Sequence, residues 1–97
     1  MFKTADLVIS EKGRDQKRIF MVVEVVSEEY VLVADGSLRK LENPKLKKIK
    51  HLMAFGVASE RITEKLSEGK KITNAELRKM LKEIAAKESE NQEAVIL

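Results

Sequence analysis

Ten cations are the residues best suited to chemistry in this chain: Lys12, Arg14, Lys17, Arg18, Arg39, Lys40, Lys45, Lys47, Lys48 and Lys50. Their chemistry is the neutralisation of phosphate. A lysine that meets a phosphate releases condensed counterions, which gives sequence-independent affinity that falls with salt. An arginine can hold the same group through two parallel hydrogen bonds. The spacing strengthens this reading, because Lys45, Lys47, Lys48 and Lys50 crowd into one short run. A plainer reading stands beside it. Lysines on an exposed strand also deter edge-to-edge pairing, and Arg14 or Arg18 could simply pair with Asp15 or Glu11. Asp15 suits turn formation, since a short carboxylate bonds nearby backbone.

Other chemistries lack their parts. There is no cysteine, which removes disulfides, thiolate metal sites and a cysteine nucleophile. His51 is the lone histidine and its neighbours are lysines, so neither a catalytic triad nor a metal site is expected. Gly13 stands alone, without a phosphate-cradling glycine pattern. The carboxylates are scattered, with no pair whose surroundings suggest acid–base tuning. The expectation is a binding protein without cofactor or metal, and not an enzyme. The aromatics are Phe2, Phe20, Tyr30 and Phe55 only. That is too few for a platform that stacks single strands, and favours recognition of backbone and shape. Tyr30 reads as packing at a sheet rim more readily than as a stacking residue.

A length of 97 residues is a prior for one domain with a modest core. Net charge is +3, but its distribution matters more. Residues 1–56 hold 11 Lys/Arg and 8 Asp/Glu, whereas residues 57–97 hold 8 of each. Residues 37–51 hold six basic residues against Glu42 alone, a net of +5 that can act as a local field. The longest apolar run, Ile19 to Val23, is far short of a membrane span. Asp6 interrupts the start, where a signal-peptide core would lie. These features predict a cytoplasmic protein.

The elements that must hold the cations follow from periodicity. Leu7 to Ile9 predicts a first strand, and Ser10 to Lys17 a charged loop. Arg18 to Val26 is apolar on both alternating sets, as in a central strand covered on two sides. Ser27 to Glu29 is a polar turn, and Tyr30 to Ala34 a further strand. Asp35-Gly36 predicts a tight hairpin turn with Leu38 to Leu41 as the returning strand. Asn43-Pro44 breaks the ladder. Lys45 to Leu52 predicts a closing strand, with Ile49 inward and Lys48 and Lys50 opposite. Together these give a β-barrel of five short strands over residues 3–56.

Residues 57–97 predict a helical extension. Ser59 caps a helix from Glu60 to Glu68, and Gly69 ends it. Thr73 and Glu76 form a capping box ahead of a helix from Asn74 to Lys87. Leu77, Met80, Leu81 and Ile84 give that helix one apolar face. The stripe reads as core, with a docking face for a protein partner as the alternative. Residues 88–93 read as a polar tail, and Val95, Ile96 and Leu97 as an apolar end without an assigned role.

The segment LVISEKGRDQKRIFMVVEVV resembles a KOW unit, the β-loop-β element of SH3-like barrels in RNA-binding proteins. The following EYVLVADGSLRKLENPKLKKIKHL resembles the bacterial KOW-domain RNA-binding proteins. Those are similar in turn to the KOW-bearing large-subunit ribosomal proteins of archaea and eukaryotes. The matching residues are Ser10, Gly13-Arg14-Asp15, Asp35-Gly36, Leu38-Arg39-Lys40, Pro44-Lys45, Lys47-Lys48 and Lys50-His51-Leu52. Where the KOW pattern has a glycine at the loop's end, this chain has Gln16-Lys17. The resemblance covers about half the chain. It implies an SH3-like barrel and binding to structured RNA, ribosomal RNA included, in a translation-associated role. The alternative class is a protein-interaction module of the translation or transcription machinery.

Overall fold

A computed structural model describes residues 1–13 and 17–96, with side-chain surroundings through residue 87. Among the described residues, five strands form one antiparallel sheet: β1 (Asp6–Ser10), β2 (Ile19–Val25), β3 (Tyr30–Ala34), β4 (Lys45–Lys48) and β5 (Leu52–Val57). Two helices follow, α1 (Glu60–Ser67) and α2 (Asn74–Ile96). The fold is therefore mainly β with a helical addition. No described helix is long and apolar enough to cross a membrane.

The strand order is β4-β3-β2-β1-β5, so β4 and β5 are opposite edges although they are consecutive in the chain. A single 3-10 turn, Ile49–His51, joins them. In a flat sheet these edges would stand roughly 19 Å apart, at 4.7–4.9 Å per strand. Four extended residue steps reach at most about 14 Å. The sheet must therefore curl so that its edges approach each other, although no ladder pairs β4 with β5.

That curl explains the two-sided apolar pattern of β2. One set of side chains points into the curl: Val8, Phe20, Val22, Val31, Val33 and Leu52, with Phe2 and Ile49 packed against them. The other set meets the helices. Leu7, Met21 and Ala34 share a core with Ile62 of α1 and Leu77, Met80 and Leu81 of α2. Phe20 and Met21, adjacent in sequence, are 0% and 1% exposed in different cores. The stripe Leu77, Met80, Leu81 and Ile84 is thus packed on the sheet, and offers no open docking face.

The helix starts follow their local chemistry. Ser59 Oγ accepts from the Ile62 N–H, and Gly69 adopts φ +74° beyond the end of α1. At the start of α2, Thr73 Oγ1 accepts from the Glu76 N–H while Glu76 accepts from the Thr73 N–H, both at 3.1 Å. Lys65 also donates to Glu76 at 2.6 Å and pins α1 to this corner. The hydrogen bond from Lys65 is the main cause that lowers the Glu76 carboxyl below its ordinary value. The helix then runs past the predicted end, through the polar stretch 88–93 to Ile96. Glutamates, glutamine and alanine there are good helix formers, and polarity alone did not end the helix. The side chains of Val95, Ile96 and Leu97 lie outside the described surroundings.

Two strand expectations are corrected. Leu38 to Leu41 does not return as a strand. The N–H groups a ladder would use are taken by side chains. Asp35 Oδ1 accepts from Ser37 and Arg39, each at 2.9 Å, and Asn74 Oδ1 accepts from Leu41 at 2.8 Å. The predicted closing strand Lys45 to Leu52 is instead broken at the 3-10 turn, and the strand that pairs with β1 is Leu52–Val57. The break is geometric, since the chain must cross from one sheet edge to the other within three residues. Ile49 still faces the inner core, as its apolarity required.

Candidate nucleic-acid interface

The alternation of β4 decides which lysines are held and which are presented. Lys45 and Lys47 are half-buried, whereas Leu46 and Lys48 are exposed. Lys45 and Lys47 pair across the ladder with Val33 and Val31, both fully buried. Their methylene stems can cover that apolar wall while the ammonium groups reach its rim. Both are engaged within the chain. Lys47 donates from Nζ to Ser10 Oγ at 3.1 Å.

Ser10 is the hub of this end of the sheet. It is fully buried, and its hydroxyl donates to the Lys12 carbonyl at 3.1 Å while accepting from Lys47. The Glu11 N–H donates to the His51 carbonyl at 2.8 Å, and the Lys17 N–H to the Ser10 carbonyl at 2.7 Å. The loop after β1 is thereby fastened to β4 and to the 3-10 turn. Lys17 closes the loop at φ +70°. This is the left-handed region that favours glycine.

The imidazole of His51 is held below its ordinary value of 6.5, first by loss of solvation and then by Lys12, Lys50, Lys48 and Lys47. Four ammonium groups from two separate segments therefore act on one ring. Lys12, Lys48 and Lys50 are exposed, and no ion pair engages them among the described residues. Glu28 and Glu29 bound the cluster on one side, where they line a hollow of about 370 Å³ with Lys48, Ile49 and Lys50.

The remaining cations are placed differently. Arg18 Nη1 lies 3.5 Å from Asp35 Oδ2, and the Asp35 side chain is only 9% exposed. Arg18 therefore balances a nearly buried carboxylate. Arg39 and Lys40 stand in the loop latched to α2, with the Arg39 carbonyl accepting from the Asp35 and Gly36 N–H groups. Arg14, like Asp15 and Gln16, lies outside the described residues. Among the described residues, no group of three or more His, Cys, Asp or Glu is arranged to hold a metal ion.

The sequence reading missed Ser10 as a junction and Asn74 as a latch. Asn74 accepts from the Leu41 N–H and donates to Glu42 at 2.9 Å, and Arg78 Nη1 donates to the Gly36 carbonyl at 2.8 Å. The hydrogen bond from Asn74 is the main cause that lowers the Glu42 carboxyl below its ordinary value. Asn74 joins residues 33 positions apart, a separation that local spacing does not reveal. Compared with known proteins, the chain matches no family model and no curated protein.

Proposed function

We propose that this chain binds structured RNA through phosphate contacts, in a cytoplasmic, translation-associated setting. The observation that carries this reading is the junction at Ser10 and His51, where Ser10 bonds both Lys12 and Lys47 and the Glu11 N–H bonds the His51 carbonyl, so that Lys12 is brought to the strand and turn that carry Lys47, Lys48 and Lys50. Ammonium groups from two separate segments suit a run of phosphates better than a single small anion. The strand order, with a 3-10 turn before the last strand, supports reading the curled sheet as an SH3-like barrel of the KOW type. The scarcity of aromatics favours folded RNA over a stacked single strand.

The test is a salt series on the full chain with a folded ribosomal RNA fragment. Each phosphate contact contributes a log–log slope of about −0.7 to −0.9, so contacts from the three exposed lysines, Lys12, Lys48 and Lys50, predict a slope of about −2 to −3. An affinity that does not change with salt would reject the reading.

The histidine adds a pH dependence of known sign. In the free protein, desolvation first and then the neighbouring lysines disfavour the imidazolium. The unfolded chain therefore binds a proton more readily, and His51 withdraws stability as pH falls below 6.5. A bound phosphate screens the lysines and favours the charged ring. RNA affinity should rise as pH drops from neutral through this window, and His51→Ala should flatten that rise. Binding isotherms at pH 7.5 and pH 5.5 check both statements.

A further inference from the structure

The hollow of about 370 Å³ beside the lysines holds charges of both signs. The turn between β2 and β3 contributes Glu28 and Glu29, while β4 and the 3-10 turn contribute Lys48, Ile49 and Lys50. All four charged side chains are exposed, and no ion pair joins the two signs among the described residues. Ile49 packs against the inner core and gives the hollow an apolar part. The two walls are fastened to each other. The Ile49 N–H donates to the Glu29 carbonyl at 2.8 Å, and Ser27 Oγ accepts from the Glu29 and Tyr30 N–H groups, each at 3.2 Å. Carboxylates and ammonium groups are thus held around one space without cancelling each other.

We propose that this hollow reads one unpaired guanine of the bound RNA. This subsite rests on the RNA reading above, because Lys48 and Lys50 serve both. The carboxylates of Glu28 and Glu29 accept from the adjacent N1–H and 2-amino donors of the base, while Lys48 and Lys50 hold the flanking phosphates. Charge decides the choice of ligand. Two carboxylates beside a phosphate site repel a bare run of phosphates, so the partner that satisfies all four groups carries hydrogen-bond donors as well as anions. Bonds to a carboxylate are stronger than those between neutral groups. Among the bases, guanine sets two donors side by side, whereas adenine turns an acceptor, N1, towards the carboxylate and is repelled. The base must be unpaired, since its Watson–Crick edge has to be free. Ile49 offers its ring an apolar surface.

The test is one RNA hairpin whose single variable loop base is guanine, inosine or adenine, titrated with the full chain at fixed salt. The guanine hairpin should bind about tenfold tighter than the adenine hairpin, as a paired contact to a base edge provides. Inosine lacks the 2-amino group and should fall between them. The double variant Glu28→Gln with Glu29→Gln keeps the backbone bonds of the turn, so its melting curve should not move. It should lose the guanine preference, yet bind the adenine hairpin more tightly than wild type does, because two repelling charges are gone. Loss of a merely structural role would weaken every hairpin alike. Equal wild-type affinity for all three hairpins, with a steep salt slope, overturns the guanine subsite and leaves the phosphate reading standing. A guanine preference that survives in the double variant overturns the subsite too. Failure to bind any hairpin overturns both readings.

Discussion

Gly36→Ala is expected to lower the unfolding free energy by about 3 kcal/mol or more, a large share of a small domain's stability. Two penalties add at this position. The backbone sits at φ +78°, where an L side chain is strained. A Cβ would also overlap the Asn74 carbonyl oxygen and approach the Arg78 nitrogen at 3.1 Å. Those atoms belong to the first turn of α2 and cannot yield like the tip of a flexible side chain. Relief would need the helix start to move. That would disturb the Arg78 bond to the Gly36 carbonyl and the Asn74 bond to Leu41. Urea unfolding monitored by circular dichroism checks the loss. A midpoint unchanged from wild type would show that the loop does not bear on α2.

Replacing Lys12, Lys48 and Lys50 together with alanine is expected to reduce RNA affinity about a hundredfold or more near 0.1 M salt, and to shallow the salt slope by about two to three. These side chains are exposed, so the melting temperature should hold. Arg18→Ala provides the contrast. It removes the cation beside a nearly buried Asp35 and should cost stability while leaving the salt slope almost intact. An Arg18 variant with the larger slope change would move the interface away from Lys12, Lys48 and Lys50.

The legible parts of this fold were those written in local chemistry. Ser59, the Thr73–Glu76 box and the spacing of Leu77, Met80 and Leu81 each act within a few residues, and they located the helix starts and their buried face. The two apolar sets of β2 likewise announced burial on both sides. What could not be read was chemistry supplied from afar. Residues 38–41 lack a ladder because Asp35 and Asn74 satisfy their N–H groups. The strand Leu52–Val57 has no polar alternation, and the lysine run before it drew the closing role to itself.

The cation site shows the same division. Composition located the charge, yet the meeting of Lys12 with Lys47, Lys48 and Lys50 exists only because the sheet curls. Alternation on β4 separates Lys47, tethered to Ser10, from Lys48, which faces solvent. For Arg18 the sequence offers Asp15 or Glu11 as a carboxylate partner, whereas the fold supplies Asp35, 17 positions away.

Because Phe20 and Met21 enter different cores, one peptide bond in β2 spans the boundary between two apolar compartments. Spectroscopic labels on these neighbours would sense the barrel-like interior and the helix layer independently. A disturbance that loosens only the helices would register at Met21 and stay silent at Phe20, so a single strand serves as a two-channel gauge of the whole molecule.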